Sequence, residues 1–223
     1  ALKAEINRLE DRVSKLREAA KEEAGQSARD FTGDGNRQYL TGLNLGGNRI
    51  VILIDASASM LADSIVNVIR LRNMDPELQR SADKWQRALN TVDWLTSQLP
   101  INSQYQIIAF NTEAQPILSG TAGKWLEVAD APQLKAATEA LRDRLPSGGT
   151  NLHGAFDAVG TLPGGPDNIF LITDGLPTQS YEPPRRTTIS GRDRLNLFRK
   201  AVQRLPCHQQ PRQISSAPAP LSQ

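Results

Sequence analysis

The chain predicts an α/β fold with a mostly parallel central sheet flanked by helices and preceded by an amino-terminal helix. Three observations predict it. Ile50-Val51-Ile52-Leu53-Ile54 is a continuous, largely β-branched run without polar alternation, which reads as a strand buried on both faces. Ile169-Phe170-Leu171-Ile172 is a second such run. Between them, apolar residues recur at three- and four-residue spacing, the period of helices that cover a sheet.

Taken in order, residues 1–23 form a heptad segment. Leu2, Leu9 and Leu16 fall at d, and Ile6, Val13 and Ala20 at a. Branched residues at a with Leu at d favour a parallel two-stranded coil. In a parallel homodimer, however, Glu5 would face Glu10 and Arg12 would face Arg17. Two readings stay open: a coiled coil with another chain or in antiparallel sense, and a single amphipathic helix lying on its own domain. Residues 24–48 are a linker rich in Gly, Asn and Asp, holding at most a short edge strand near Tyr39-Leu40 and Leu43-Leu45.

After the first strand, a helical stretch runs from about residue 60 to 99. Asp75-Pro76 should divide it into two helices, because the residue before proline disfavours the helical region. Ala88, Val92, Leu95 and Leu99 give the second helix one buried face, which Trp85 and Trp94 extend. Tyr105-Phe110 reads as the second strand. Gln115-Pro116-Ile117-Leu118 reads as its hairpin partner, at an edge because of the proline. Asp130 and Pro132 open a helix with Leu134, Ala137, Leu141 and Leu145 on one side. The next helix spans 151–162 and is ended by Pro163-Gly164-Gly165-Pro166. The strand at 169–173 leads into a polar loop with Pro177, Pro183 and Pro184. A last helix, from about Asp193 to Leu205, is expected to bury Leu195, Phe198, Val202 and Leu205. The α/β domain is thus expected over 49–205, with a disordered tail over 206–223.

The chemistry concentrates where the strands end. Asp55-Ala56-Ser57-Ala58-Ser59 follows the first strand directly. In open α/β sheets, ligands bind outside the carboxyl ends of the strands. One carboxylate and two hydroxyls are therefore delivered to that edge, and such hard oxygen donors suit a magnesium-like cation better than zinc or copper. Gly148-Gly149-Thr150 places a further hydroxyl in a turn before a helix. Asp174, in Thr173-Asp174-Gly175, ends the other buried run. If the two strands are parallel neighbours, Asp55 and Asp174 arrive together.

On these residues the chain resembles the von Willebrand factor A family with a metal-ion-dependent adhesion site, of a bacterial type with an amino-terminal coiled-coil segment. The resemblance covers roughly residues 47–205. It implies a Rossmann-like fold in which Ser57, Ser59 and Thr150 offer hydroxyls to Mg²⁺ (Mn²⁺ or Ca²⁺ as alternatives), while Asp55 and Asp174 act largely through bound waters. The expected function is metal-dependent protein binding, with the cation bridging to an acidic side chain of a partner protein. By resemblance, bacterial proteins with this layout are often envelope-associated or work beside AAA+ ATPases; the compartment, envelope-associated or cytoplasmic, is not readable from these residues.

The family's sheet continues with another strand after the last helix. Here the chain reads Pro206-Cys207-His208-Gln209-Gln210-Pro211 and ends in Ser, Ala and Pro, a composition that does not build a buried strand. The expectation is a chain truncated or frameshifted near residue 206, a sheet incomplete at its carboxyl end, and an open apolar edge on the strand at 169–173.

Two other functions compete. One is a scaffold or oligomerisation protein with a vestigial metal site. The other is a Mg²⁺-dependent phosphotransferase of the haloacid-dehalogenase type. That chemistry needs a second acid two residues after the nucleophilic aspartate, and Ser57 stands there. No nucleophile elbow, P-loop or dinucleotide turn is present, so no enzymatic activity is expected. His153 reads as a surface or packing residue, and Asp157 as solvent-facing. Between Glu182 and Arg212, eight basic residues stand against two acidic ones; this reads as a solvated helix face and tail, and no nucleic-acid partner is expected. Cys207 is the only cysteine, so no internal disulfide can form. No apolar run is long enough to span a membrane. The chain begins with Ala and shows no export-signal pattern, so any upstream anchor would lie outside it.

Overall fold

In the computed structural model, residues 47–182 and 188–205 are described. The heptad segment 1–23, the linker up to residue 46, positions 183–187 (Pro183 and Pro184 among them) and the tail from 206 lie outside the described residues.

The apolar run at 50–54 forms β1 (Arg49–Asp55), and Ile50 through Asp55 are entirely removed from solvent. β1 pairs in parallel with β2 (Gln104–Phe110) on one side and with β5 (Asn168–Ile172) on the other. Because side chains alternate across a strand, its two sets of residues enter two different cores. Ile50, Ile52 and Ile54 join Tyr105, Ile107 and Ala109 under α3 (Asp83–Ser97) and α4 (Ala131–Arg142). Val51 and Leu53 join Ile108 and Phe110 under α5 (Leu152–Gly160) and Ala201 of α6 (Gly191–Val202). The sheet is therefore the middle of three layers. A strand covered on both faces has no use for polar alternation, and β1 has none.

The short antiparallel β3 (Ala114–Pro116) borders β2 as the expected hairpin, with Pro116 opposite Ile108 on the outer strand. A two-residue β4 (Leu126–Glu127) pairs with the start of β2; it is too short to leave any periodicity in the sequence. The strand order is β3-β2-β1-β5. Among the described residues β5 pairs only with β1, and its five side chains are half-buried, as expected for an open apolar edge. The chain leaves β1 towards β2 and later returns to the far side of β1. The reversal of strand order thus falls at the end of β1, where Asp55 stands.

Two expectations are corrected. The stretch after β1 is not a pair of helices but a 3-10 helix (Ala58–Leu61) followed by α1 (Ile65–Arg72), α2 (Pro76–Arg80) and α3. Asp75-Pro76 breaks the chain as expected. An earlier break arises because Met60 and Leu61 are buried while Ser64 caps α1 by accepting from the Asn67 N–H at 3.3 Å. A later one arises because the Ser81 hydroxyl donates to the Leu78 carbonyl at 3.1 Å and competes with helix continuation. The second correction concerns α6. Leu195 and Val202 are 37% and 38% exposed, and the fully buried residue is Ala201. The inward stripe runs through the half-buried Leu197, Phe198 and Leu205 around the buried Ala201, whose small side chain lets the helix approach the α5 layer. The other expected faces are in place for Trp85, Ala88, Val92, Leu95 and Leu99, and for Leu134, Ala137 and Leu141, all buried; Trp94 is half-buried, and Leu145, also half-buried, lies beyond the end of its helix at Arg142.

No described helix is long and apolar enough to cross a membrane.

Candidate functional site

Three loops converge beyond the carboxyl ends of β1 and β5. The first follows β1 and carries Asp55, Ser57 and Ser59. The Ser57 N–H donates to Asp55 Oδ1 at 2.8 Å, turning the chain back over the carboxylate. The second loop carries Thr150. It is clamped to the first by Ser147 N–H to the Ala56 carbonyl (2.8 Å) and Ala58 N–H to the Gly148 carbonyl (3.1 Å). Gly148 adopts φ +74°, a left-handed conformation that glycine takes without strain. At Gly149 a Cβ would lie 2.9 Å from Thr178 Oγ1, a hydroxyl that the Thr150 N–H holds in place. The third loop carries Asp174 and continues to Thr178 and Gln179, whose N–H groups both donate to the Thr150 carbonyl, at 3.0 and 3.2 Å. Thr150 returns an N–H to Thr178 Oγ1 at 2.9 Å.

This lacing brings together all five residues singled out in the sequence. Ser57 Oγ lies 2.9 Å from Ser59 Oγ, and the Thr150 hydroxyl donates to Ser57 Oγ at 3.1 Å. The Ser59 hydroxyl donates to Asp174 Oδ1 at 3.0 Å. Asp55 joins through Thr173, whose hydroxyl donates to Asp55 Oδ2 at 2.8 Å. Asp55, Ser57 and Thr150 are buried, at 0%, 1% and 4% exposure. The backbone of Asp174 is open to solvent, but its carboxylate is only 14% exposed.

Burial pushes the Asp55 carboxyl above its ordinary value. Hydrogen bonds from Ser57 and Thr173 pull it down by less, and the Asp174 charge adds to the rise. A buried carboxylate so placed is costly to keep charged without a cation. Two carboxylates and three hydroxyls form an all-oxygen donor set of the kind hard divalent cations take. No group of three or more His, Cys, Asp or Glu side chains suited to a metal lies among the described residues. Among the described residues, the donor set at these strand ends is thus made up by hydroxyls beside the two carboxylates.

Three residues at the site carry no metal-site spacing in the sequence. Thr173 lies within the Thr-Asp-Gly motif, yet its bond to Asp55 depends on strand register. Thr178 follows Asp174 by four residues in a loop without periodicity. Lys84 is remote in sequence and opens α3. Its ammonium lies 2.6 Å from Asp174 Oδ2 and donates to the Ser59 and Ala62 carbonyls at 3.0 and 3.4 Å.

His153 stands on the far side of the Thr150 loop in a separate cluster. It is buried and packs against Tyr181, with ring centroids 6.0 Å apart. Its Nδ1 has no hydrogen-bond partner among the described residues. The Tyr181 hydroxyl donates to Asp157, and Arg204 pairs with Asp157 at 3.0 Å while stacking 5.3 Å over the Tyr181 ring. His153 therefore packs, as expected. Asp157 is half-buried and ion-paired rather than simply solvent-facing.

Comparison with known proteins bears on this arrangement. The family model described as von Willebrand factor type A domain matches residues 50–176. A solved structure described as von Willebrand factor type A from Catenulispora acidiphila is similar at 22% identity, over 71% of this chain and 30% of that one, with a TM-score of 0.48. The chain thus spans less than a third of that protein's length. No curated protein matches it. The matched segment exceeds half of the chain and contains the sheet and all five site residues, so this chain belongs to the von Willebrand factor type A domain family.

Proposed function

We propose that this domain is a non-catalytic, metal-dependent protein-binding module. Ser57, Ser59 and Thr150 would hold a Mg²⁺ ion, with Mn²⁺ or Ca²⁺ as alternatives, and Asp55 and Asp174 would act through waters. The bound cation supplies a Lewis-acidic position for a carboxylate of the partner. The carrying observation is the chain of hydroxyls, Thr150 to Ser57 at 3.1 Å and Ser57 to Ser59 at 2.9 Å, ending on Asp174 at 3.0 Å. The buried Asp55 adds a charge that calls for a cation.

A protein partner fits the surroundings better than a small metabolite. Helix α1 packs against the 3-10 helix that follows Ser57. It exposes Ile65 and Val66, each 71% accessible, and Ile69 at 55%. Apolar side chains gathered beside a polar centre are typical of protein docking surfaces. Binding rather than phosphoryl transfer is favoured by Ser57, a buried hydroxyl where an acid or base would be needed.

The reading is tested by calorimetric titration of Mg²⁺ into the wild-type chain and a Ser57→Ala, Ser59→Ala double variant. Binding by the wild type and its loss in the variant is expected. A folded wild-type chain that binds no divalent cation would overturn the reading.

A further inference from the structure

Lys84 is the one cation of this chain in direct contact with the candidate site among the described residues. Its side chain is 18% exposed. The three donors of an ammonium group are matched by three acceptors: Asp174 Oδ2 at 2.6 Å and the carbonyls of Ser59 and Ala62 at 3.0 and 3.4 Å. Asp63 Oδ1 lies further off, at 3.5 Å, and its side chain is 83% exposed, so that pair contributes little. Asp174 is thereby used on both oxygens, by Ser59 on Oδ1 and by Lys84 on Oδ2. With Lys84 present, the two site carboxylates and the ammonium together offer a divalent cation one net negative charge instead of two.

We propose that Lys84 is a built-in counter-cation of the site, which stabilises Asp174 when no divalent ion is bound and weakens divalent-cation binding when one is. This inference rests on the metal-binding reading above. The physical basis is that hard-cation affinity is set by the count of charges around the site and by its rigidity. Here a like-charged ammonium holds one of the carboxylates. Repulsion between Lys84 and the incoming ion opposes binding. The ammonium's grip on the Ser59 and Ala62 carbonyls keeps the loop ordered in the meantime. Affinity is thereby traded for a site already folded before the ion arrives. Partner binding would then track changes in free divalent ion more closely than a saturated site allows.

Calorimetric Mg²⁺ titration of the wild type, Lys84→Met, Lys84→Gln and Lys84→Arg tests this. Lys84→Gln removes the charge and retains a donor for the backbone carbonyls. Both neutral variants should bind Mg²⁺ about tenfold more tightly, while Lys84→Arg stays within about threefold of the wild type. In thermal melts, the neutral variants should unfold earlier without metal and gain more from Mg²⁺, as linkage requires. A merely structural role predicts the reverse, because a loosened loop binds metal less well. Equal or weaker binding by the folded neutral variants, beside measurable wild-type binding, would overturn the role of Lys84 alone. So would failure of both neutral variants to fold. Absence of binding in the wild type and the neutral variants alike would overturn the metal-site reading and this inference with it.

Discussion

The hydroxyl of Thr173, at the end of β5, donates to Asp55 Oδ2, at the end of β1, across 2.8 Å. Two parallel strands thus fix the orientation of one carboxylate, which the Ser57 N–H holds by its other oxygen. Replacing Thr173 by Val keeps the shape and removes the donor. The Asp55 carboxyl should then rise further, and Mg²⁺ affinity should fall about tenfold or more, the worth of one hydrogen bond to a charged group. Because the Asp55 carboxyl already sits above its ordinary value of 3.8, wild-type affinity should begin to fall at a higher pH than an unperturbed aspartate would give. Titrations at several pH values check both. An unchanged affinity in Thr173→Val would show that Asp55 needs no help from β5.

His153 gives stability its own pH dependence. Burial, then the positive charge of Arg204, hold its imidazole below the ordinary 6.5; Asp157 pulls the other way, by more than the charge of Lys200 adds. Well above 6.5 the ring is neutral in both folded and unfolded chains, and the fold keeps its full stability. As the pH falls through 6.5, the unfolded chain takes up a proton that the folded chain resists, so stability declines until the lowered folded value is passed. Melting temperatures measured from about pH 8 to about pH 5 should drop more steeply for the wild type than for His153→Gln. Parallel curves would remove His153 from the account.

Gly148 sits at φ +74°, and a Cβ there would meet Thr112 Cγ2 at 3.0 Å. Gly148→Ala should cost about 1–2 kcal/mol of stability through backbone strain. It should also weaken Mg²⁺ binding, since the Gly148 carbonyl ties the Thr150 loop to Ala58. Chemical denaturation together with the Mg²⁺ titration tests this. A variant as stable as the wild type would mean that the loop relaxes freely.

Ile65 and Val66, at the start of the helix that packs on the 3-10 helix after Ser57, are each 71% exposed, so replacing both with Ser should leave the melt within about 0.5 kcal/mol of the wild type. Mg²⁺ affinity should not change, whereas capture of a protein partner should weaken by about tenfold or more. Once a partner is in hand, a pull-down in Mg²⁺ comparing the two chains decides the matter. Undiminished capture would place the contact elsewhere.

The convergence of the five candidate residues was legible in the sequence because each follows a strand or a glycine turn, and those carry their own patterns. The five side chains meet because β1 and β5 are parallel neighbours in register from Ile50 with Asn168 to Ile54 with Ile172. Lys84 was not legible. It belongs to the start of α3, and nothing in helical spacing says that this end of the helix reaches the strand ends. Leu195 and Val202 misled for a related reason. Apolar spacing marks a stripe without fixing which of its borders turns inward, and here the small Ala201 set the approach. The extra break at residues 81–82 came from local side-chain bonding, which periodicity does not register.

The polarity of β1 has a practical side. Gly47 and Arg49 enter the sheet at one end of the strand and Asp55 leaves at the other, about 20 Å away at the usual rise per residue. Asp167 accepts from the N–H groups of Asn48 and Arg49, at 2.8 and 3.0 Å, and so pins the entry point. A support or a fusion partner joined directly to Gly47, in a chain shortened to begin there, would meet the domain at its rear, leaving the strand ends aimed at the medium. Attaching that shortened domain to a sensor chip by Gly47 is accordingly the geometry that turns the strand ends towards captured partners.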